Sequence, residues 1–479
     1  MTHEYSVIIV GAGFSGISMG LELQDIGISN WLILEKESRI GGTWAANTYP
    51  GSGSDVPSIL YQLKRAPYHR FTRKFADQHE ILNYIETIAE PLKPKIKYEE
   101  EVLSIEFLDQ MDKWLITTQK NQFLSRFVIL SMSPLAKPSV PVLPGQNNFR
   151  GKQVHTAQWH DAINYHDKNV IVVGSGASAI QCIETIQPYV KQLFLIQRSP
   201  SWVMAKGNRD NSILSQYLLQ LRGYFLLAYL FTFLLHEIKV LLFINPKLME
   251  LVEWFNKRRI KQLVTHPQNR RSIIPDYALG CKRIVLSDHY YQAINSPNVS
   301  IHNVTISKIE ESGVTLKDGT SLLADIIIYA TGFEHAQHVP INRILANGLD
   351  LKEVWKKKRS AYLGMFVSAF PNLFLLVGPN TGLGHQSLLF MIERQTNYLS
   401  KMMKYLLNHH VKRVNVKREK ELALQRKIDS RNQGTVWEKG CQSWYLDAKG
   451  NNVALWPFSS LYYWWLTKDY NKNDFEIKF

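Results

Sequence analysis

An α/β fold in which one strand–loop–helix unit occurs twice is what this sequence of 479 residues predicts, and three observations predict it. Apolar runs of strand length alternate with segments of helix length. Two glycine-rich loops, beginning at Gly11 and Gly174, each follow such a run and open such a segment. Between them Pro134, Pro138, Pro141 and Pro144 favour an extended connector and mark a boundary.

Taken in order, residues 5–10 read as a buried strand, 15–25 as a helix and 31–35 as the next strand. Asp77 followed by Glu80 has the spacing of a capping box and opens a helix through Glu90. Strand-like runs follow at 102–107, 113–118 and 123–130, then the proline connector. A second strand–helix–strand unit occupies 169–197. Residues 211–264 are mostly helical in pattern and strongly apolar. Runs at 314–316 and 322–329 flank Asp318-Gly319, a hairpin turn signal. Residues 388–407 read as a last long helix.

Hydrophobic residues make up 45% of the chain and charged residues 20%, which is globular composition and excludes a disordered or fibrous chain. Aromatic residues at 11% point to pockets or wide apolar contact surfaces. The three cysteines, Cys182, Cys281 and Cys441, lie far apart in sequence. No C-x-x-C pair and no thiolate metal cluster is therefore expected, and no metal site is proposed. Sparse cysteine fits a reducing cytoplasm. Lysine and arginine outnumber aspartate and glutamate 56 to 41. The run Lys356-Lys357-Lys358-Arg359 and the basic stretch from Lys412 to Lys427 are read as solvated faces. No nucleic-acid motif accompanies them. Residues 5–10 are too short, and lack the basic flank, for a signal peptide, so a cytoplasmic location is expected. The longest apolar run, residues 224–235, has 12 residues, short of the ~18 that span a bilayer.

The chemistry is concentrated in the loops. Gly11-Ala12-Gly13-Phe14-Ser15-Gly16 is a G-x-G-x-x-G sequence in a strand-to-helix context. Its first two glycines allow a tight turn and close approach to a pyrophosphate, and its third allows close helix–strand packing. Amide groups around Phe14 and Ser15 would face the phosphates. Glu35 ends the next strand, where a carboxylate accepts both ribose hydroxyls of an adenosine. This loop suits FAD. Gly174-Ser175-Gly176-Ala177-Ser178-Ala179 repeats the design, but Arg198, with Ser199 beside it, stands at the offset held by Glu35 in the first unit. An arginine there attracts a 2′-phosphate, so this loop suits NADPH; a surface arginine beside an NADH site is the alternative. Two such sites imply electron transfer from NADPH to a flavin. Without a cysteine pair to reduce, dioxygen is the simplest acceptor.

Longer motifs give a specific resemblance. Residues 149–159, F-R-G-K-Q-V-H-T-A-Q-W, resemble the F-x-G-x-x-x-H-x-x-x-W fingerprint of the Baeyer–Villiger monooxygenases, a class B flavoprotein family. The family usually continues with Pro or Asp, where this chain has His160 and then Asp161. Gly41-Gly42-Thr43-Trp44, Tyr49-Pro50-Gly51 and Asp55 resemble its second motif. Residues 325–332, D-I-I-I-Y-A-T-G, and 378–385, G-P-N-T-G-L-G-H, resemble two further segments. The resemblance runs from residue 5 to about residue 465.

It implies two Rossmann-like domains, the NADPH domain inserted in the FAD domain, with a helical insertion. The expected divisions are 1–148 and 333–479 for FAD, 149–210 and 273–332 for NADPH, and 211–272 for the insertion. Gly42, Thr43, Trp44, Asp55, Tyr61 and Val102 join the expected FAD contacts. Lys282 joins the NADP phosphate side. Arg283, in Gly280-Cys281-Lys282-Arg283, resembles the catalytic arginine, with Asp55 orienting it. A fixed guanidinium would stabilise a peroxyflavin anion. The implied reaction inserts one atom of dioxygen into a ketone, giving an ester or lactone. Nitrogen or sulfur oxygenation, or a flavin redox sensor without turnover, stays open. A lipophilic ketone is expected from the apolar insertion. Residues 224–235 are expected on a substrate-side helix or a membrane-facing patch that does not span, so peripheral membrane contact is left open. His155 is expected to be structural, Cys281 a buried inert thiol, and Trp444 with the other C-terminal aromatics core. His385 is expected to meet the flavin through its backbone.

Overall fold

The computed structural model describes residues 3–479 except 134, 136, 161, 335–340, 439–440, 442 and 448. Pro134 of the connector and Asp161 after the fingerprint therefore lie outside the described residues.

Two sheets organise the molecule. The larger has nine strands. Its parallel part sets His3–Val10 between Trp31–Leu34 and Gln122–Leu130, with Ile96–Lys97 outside Trp31–Leu34. Val102–Leu108, Lys113–Thr118 and Gln122–Leu130 form an antiparallel meander. Three late strands join the same sheet: Arg343–Ala346 pairs with Val102–Leu108, Leu349–Asp350 with Arg343–Ala346, and Leu373–Leu375 with Gln122–Leu130. The second sheet is entirely parallel. Its order is Val299–His302, Gln192–Ile196, Asn169–Val173, Ile326–Tyr329, Lys152–His155. Strands covered on both faces need apolar residues throughout, and Val7 to Val10, Val170 to Val172 and Ile326 to Tyr329 are all buried.

The repeat seen in sequence is a repeat in hydrogen bonding. The amide of Gly11 donates to the carbonyl of Leu34 (2.8 Å), and that of Gly174 to Ile196 (2.9 Å), each closing a loop against the next strand. The helices that follow are Phe14–Asp25 and Ala177–Ile186. At Gly16 a Cβ would overlap the Gly11 carbonyl oxygen, so only glycine lets the first helix pack this closely.

The expected helix after Asp77 runs Gln78–Ala89, and the Asp77 carboxylate accepts from the Glu80 amide at 2.9 Å. One expectation is corrected. Residues 322–329 are not a single strand: Ser321–Leu323 closes a hairpin with Gly313–Leu316, whereas Ile326–Tyr329 enters the parallel sheet. The Asp325 amide, bonded to the Asn169 carbonyl at 2.8 Å, starts that second pairing.

The apolar region forms Ile213–Gln220, Arg222–Ile238, Val240–Ile244 and Pro246–Leu263. Residues Arg222–Ile244 together are long and apolar enough to cross a membrane, longer than the 12-residue run suggested. Packing argues otherwise. Phe225, Tyr229 and Phe233, one turn apart, belong to the core around Phe14 and Tyr84, and Glu237 is buried.

Candidate active site

Both glycine loops present uncapped helix starts. Gly13 caps Phe14–Asp25 and Gly176 caps Ala177–Ile186, and neither helix has a side chain bonded to its first amides. Those donors are free for an anion, and the dipole favours one. Glu35 is buried just past its strand; its carboxylate accepts from the amides of Ala12 (2.6 Å) and Glu37 (3.0 Å). Burial raises its pKa against those two bonds. A carboxylate has about four acceptor positions, so two remain for a ribose. Val102 opens a strand close by, with the Glu100 amide bonded to the Glu35 carbonyl at 2.8 Å. The Gly13 and Gly42 backbones touch, and Ser15 Oγ lies 2.6 Å from Ser131 Oγ. Thr43 Oγ1 contacts Ser133 Oγ at 3.0 Å. Trp44 donates from Nε1 to the Tyr61 hydroxyl (3.1 Å), and Tyr61 packs edge-on against Phe14 with centroids 5.7 Å apart. These contacts set Glu35, Gly42 and Tyr61 against the first glycine loop, with Trp44 on Tyr61. These residues fit a flavin dinucleotide.

On the other loop a Cβ at Gly176 would meet nothing within 4 Å, which leaves space above the helix start. Ser175 Oγ donates to the Ser199 carbonyl (2.7 Å), and Lys282 Nζ donates to Ser199 Oγ (3.2 Å). Arg198 is exposed beside them. The Lys282 ammonium is held below its usual pKa by burial and by the Arg198 charge, with Asp276 opposing. Two cations set close together suit a dianionic phosphate, so these residues fit NADP.

Arg283 and Asp55 meet between the loops. Arg283 Nε donates to Asp55 Oδ2 (2.9 Å), and Nη2 reaches both oxygens at 2.8 and 2.6 Å. The Asp55 charge, outweighing burial, holds the guanidinium above its already high pKa. Half-buried Tyr61 and buried Tyr445 flank the pair, and 43% of the Arg283 side chain is accessible, so one face is open to a ligand. Pairing of Val203–Met204 with Val285–Leu286 draws the segment after Arg283 beside the segment after Arg198.

Contacts that sequence did not disclose assemble this arrangement. Gly51 has φ +81°, and a Cβ there would overlap the Gln181 carbonyl oxygen. The Tyr49-Pro50-Gly51 turn therefore presses against Ala177–Ile186. Tyr49 donates to Gln181 Oε1 at 2.7 Å. Tyr445, from the far end of the chain, lies beside Arg283.

The cysteine reading is corrected. Cys281 is not a free thiol: it forms a disulfide with Cys441, Cα atoms 6.2 Å apart, and only Cys182 is free. Folding brings together two residues that are remote in sequence. The bridge stands two residues from Arg283. The other structural expectations divide. His155 accepts the Ala157 amide at Nδ1 (3.0 Å) and packs on Phe333, a structural role. Trp437, Tyr445, Trp456 and Tyr463 are core and Trp444 is half-buried, but Trp464 and Trp465 are exposed. The His385 imidazole is buried against Glu237 at 3.5 Å.

Residues 8–222 match the family model described as pyridine nucleotide-disulphide oxidoreductase. A Baeyer–Villiger monooxygenase of Streptomyces coelicolor is 36% identical over 473 residues, covering 95% of this chain and 89% of that protein. One of Pseudomonas aeruginosa is 36% identical over 486 residues, covering 98% and 91%. Among solved structures, an oxidised steroid monooxygenase bound to NADP superposes with a TM-score of 0.91 at 25% identity, all of both chains covered. With the paired loops and the Arg283–Asp55 contact lying between them, this agreement along the whole length establishes that the chain belongs to the Baeyer–Villiger monooxygenase family.

Proposed function

We propose that this protein is an FAD- and NADPH-dependent monooxygenase that inserts one oxygen atom from dioxygen into a ketone to give an ester or lactone. The observation that carries this reading is the Arg283 guanidinium, fixed by two-pronged contact with Asp55 and open on one face between the two dinucleotide loops. The bound flavin, reduced by NADPH, supplies the oxygen activation. The chain's own residues do the rest. Gly11, Gly13, Phe14, Ser15 and Gly16 take the flavin pyrophosphate on a helix start, and Glu35 takes the ribose. Gly42, Thr43, Trp44, Tyr61 and Val102 line the remainder of that site. Gly174 through Ala179 take the NADP pyrophosphate, and Arg198, Ser199 and Lys282 hold its 2′-phosphate. Arg283 is the catalytic residue: it places fixed positive charge where negative charge develops, without reorganising at the moment of reaction. Asp55 is a positioning residue.

The sheet memberships support the domain division expected from sequence, since residues 3–130 and 343–375 share one sheet and 152–329 build the other. A lipophilic ketone suits the cavity of about 200 Å³ between residues 57–74 and the Arg222–Ile238 helix, lined by Ile59, Phe71, Leu219 and Tyr224 among others. A peripheral membrane contact completes the reading.

The test is product identification with flavin-loaded enzyme on matched ketones and sulfides, for the parent and Arg283→Ala. The parent should convert ketones to esters. Arg283→Ala should still show flavin reduction by NADPH in stopped flow, because the two loops place that reaction. Ester formation should fall roughly 100- to 1000-fold, the loss of one fixed electrostatic donor of about 2.7–4 kcal/mol, with NADPH oxidation ending as hydrogen peroxide. Parent-rate ester formation by the variant would make Arg283 structural. Sulfoxide products without esters would favour heteroatom oxygenation.

A further inference from the structure

The outer face of the apolar helices has no partner within the chain. Eighteen of the twenty-nine exposed large hydrophobics among the described residues lie between 213 and 263. Arg222–Ile238 shows the reason. Its Phe225, Tyr229 and Phe233 point into the core, so Leu227, Leu230, Phe231, Leu234 and Ile238 point out, with Leu227 70% and Phe231 66% exposed. The Ser460–Thr467 helix, held to it through the Ser460 amide and Glu237 Oε1 at 2.7 Å, exposes Leu461, Trp464 and Trp465 as well. Monomeric soluble proteins keep contiguous apolar patches small, and a larger one marks an interaction surface.

The charges around this face select its occupant. Residues 211–264 carry seven lysines and arginines against three glutamates. Glu237 is buried, and Glu253 pairs with Lys257 at 2.7 Å. Arg222, Lys239, Lys247, Arg258 and Lys261 are exposed. Arg258 lies 3.6 Å from the Trp254 ring, an exposed aromatic–cation pair of the kind that sits at a headgroup layer. A second copy of the chain would set this basic rim against itself, whereas an anionic bilayer attracts it.

We propose that the outer face of Arg222–Ile238 and its neighbouring helices is a monotopic docking surface for an anionic lipid bilayer, its leucines and aromatics in the acyl boundary and its lysines and arginines at the headgroups. It does not span, because its inner stripe is built into the core and Glu237 is tied to Ser460. The inner edge of the same helix, at Tyr224, Ala228 and Thr232, lines the cavity whose opposite wall begins at Pro57, two residues after Asp55. Docking itself is independent of the ketone reading and is measured without turnover.

The experiment is flotation of the flavin-loaded enzyme with vesicles of phosphatidylcholine alone, or mixed with phosphatidylglycerol, at low and high salt. The parent should float with the anionic vesicles, less with neutral ones, and less as salt rises. Alkaline carbonate should release it. The variant Leu227→Glu/Phe231→Glu/Leu234→Glu should lose more than about tenfold in vesicle partition, since it puts three charges where apolar side chains would enter the acyl boundary. Its flavin content and NADPH-driven flavin reduction should match the parent. If that variant misfolds, Lys247→Glu/Lys261→Glu should still abolish the preference for anionic vesicles. Absence of flotation, or self-association of vesicle-free parent that the triple variant abolishes, would overturn the proposal in favour of contact between copies. Retention in the carbonate pellet would overturn it in favour of a spanning helix.

Discussion

Arg283 and Arg198 carry the same guanidinium into opposite electrostatic settings. Arg283 is neutralised by Asp55 and cannot leave its place. Arg198 has no carboxylate partner among the described residues and faces Lys282 instead. The first arrangement suits the catalytic charge proposed for Arg283, and the second suits the 2′-phosphate proposed for Arg198. The second makes a prediction. Charge-assisted hydrogen bonds contribute about 1.5–3 kcal/mol, or about 10- to 150-fold in affinity. Arg198→Ala should raise the KM for NADPH on that scale and leave the KM for NADH nearly unchanged. Steady-state kinetics with both cofactors measures it, and equal losses would mean that the arginine serves the fold. Much of this was legible in the sequence, because a glycine loop and the residue that ends the next strand lie at a fixed offset. Tyr445 was not, since its contact with Arg283 is made across the whole chain.

The Arg222–Ile238 helix is anchored by polar groups at its C-terminal end. Burial would raise the Glu237 carboxyl, but hydrogen bonds from His385 and Ser460 overcome it and hold the pKa below its ordinary value. Next to it His236 Nδ1 lies 3.2 Å from the His385 carbonyl, and burial with the Lys239 charge lowers its pKa to about 4. A histidine whose folded pKa is depressed takes up protons more readily when unfolded. Its contribution is therefore complete above about pH 6.5 and is lost as the pH falls towards about 4. Glu237 acts in the same direction at lower pH, below the ordinary carboxyl range. Thermal melts should show the parent losing stability between about pH 6.5 and pH 4, and His236→Gln losing distinctly less. Parallel curves would assign the loss to other groups. The sequence showed this helix as apolar, but its polar anchor is made by residues 385 and 460, remote in sequence.

At the scale of the molecule, the Cys281–Cys441 disulfide joins the segment that carries Arg283 to the C-terminal loop across 160 residues. Closing so long a loop restricts the unfolded chain, and removing a native bridge costs about 2–4 kcal/mol. Cys441→Ser should melt lower than the parent in oxidising buffer, and reductant should lower the parent to meet it. Calorimetry of both proteins with and without reductant tests this; no response of the parent to reductant would show that the bridge adds nothing. Because Tyr445 lies four residues beyond Cys441, the variant should also weaken Arg283 positioning, seen as a lower kcat with little change in the KM for NADPH.

By itself the sequence determined the fold class and the two glycine-rich strand–loop–helix units, and it singled out Arg198 and Arg283 as candidates. These depend on interactions within one strand–loop–helix unit, where residue type and spacing dictate geometry. Only the tertiary structure decided that Gly51 seats one unit on the other, that Cys281 meets Cys441, and that residues 321–329 divide between two sheets. It also decided which face of the apolar helix is core and which is left bare. Apolar periodicity shows only that a helix can bury a face. Where that helix is apolar all round, the choice of face belongs to what packs against it.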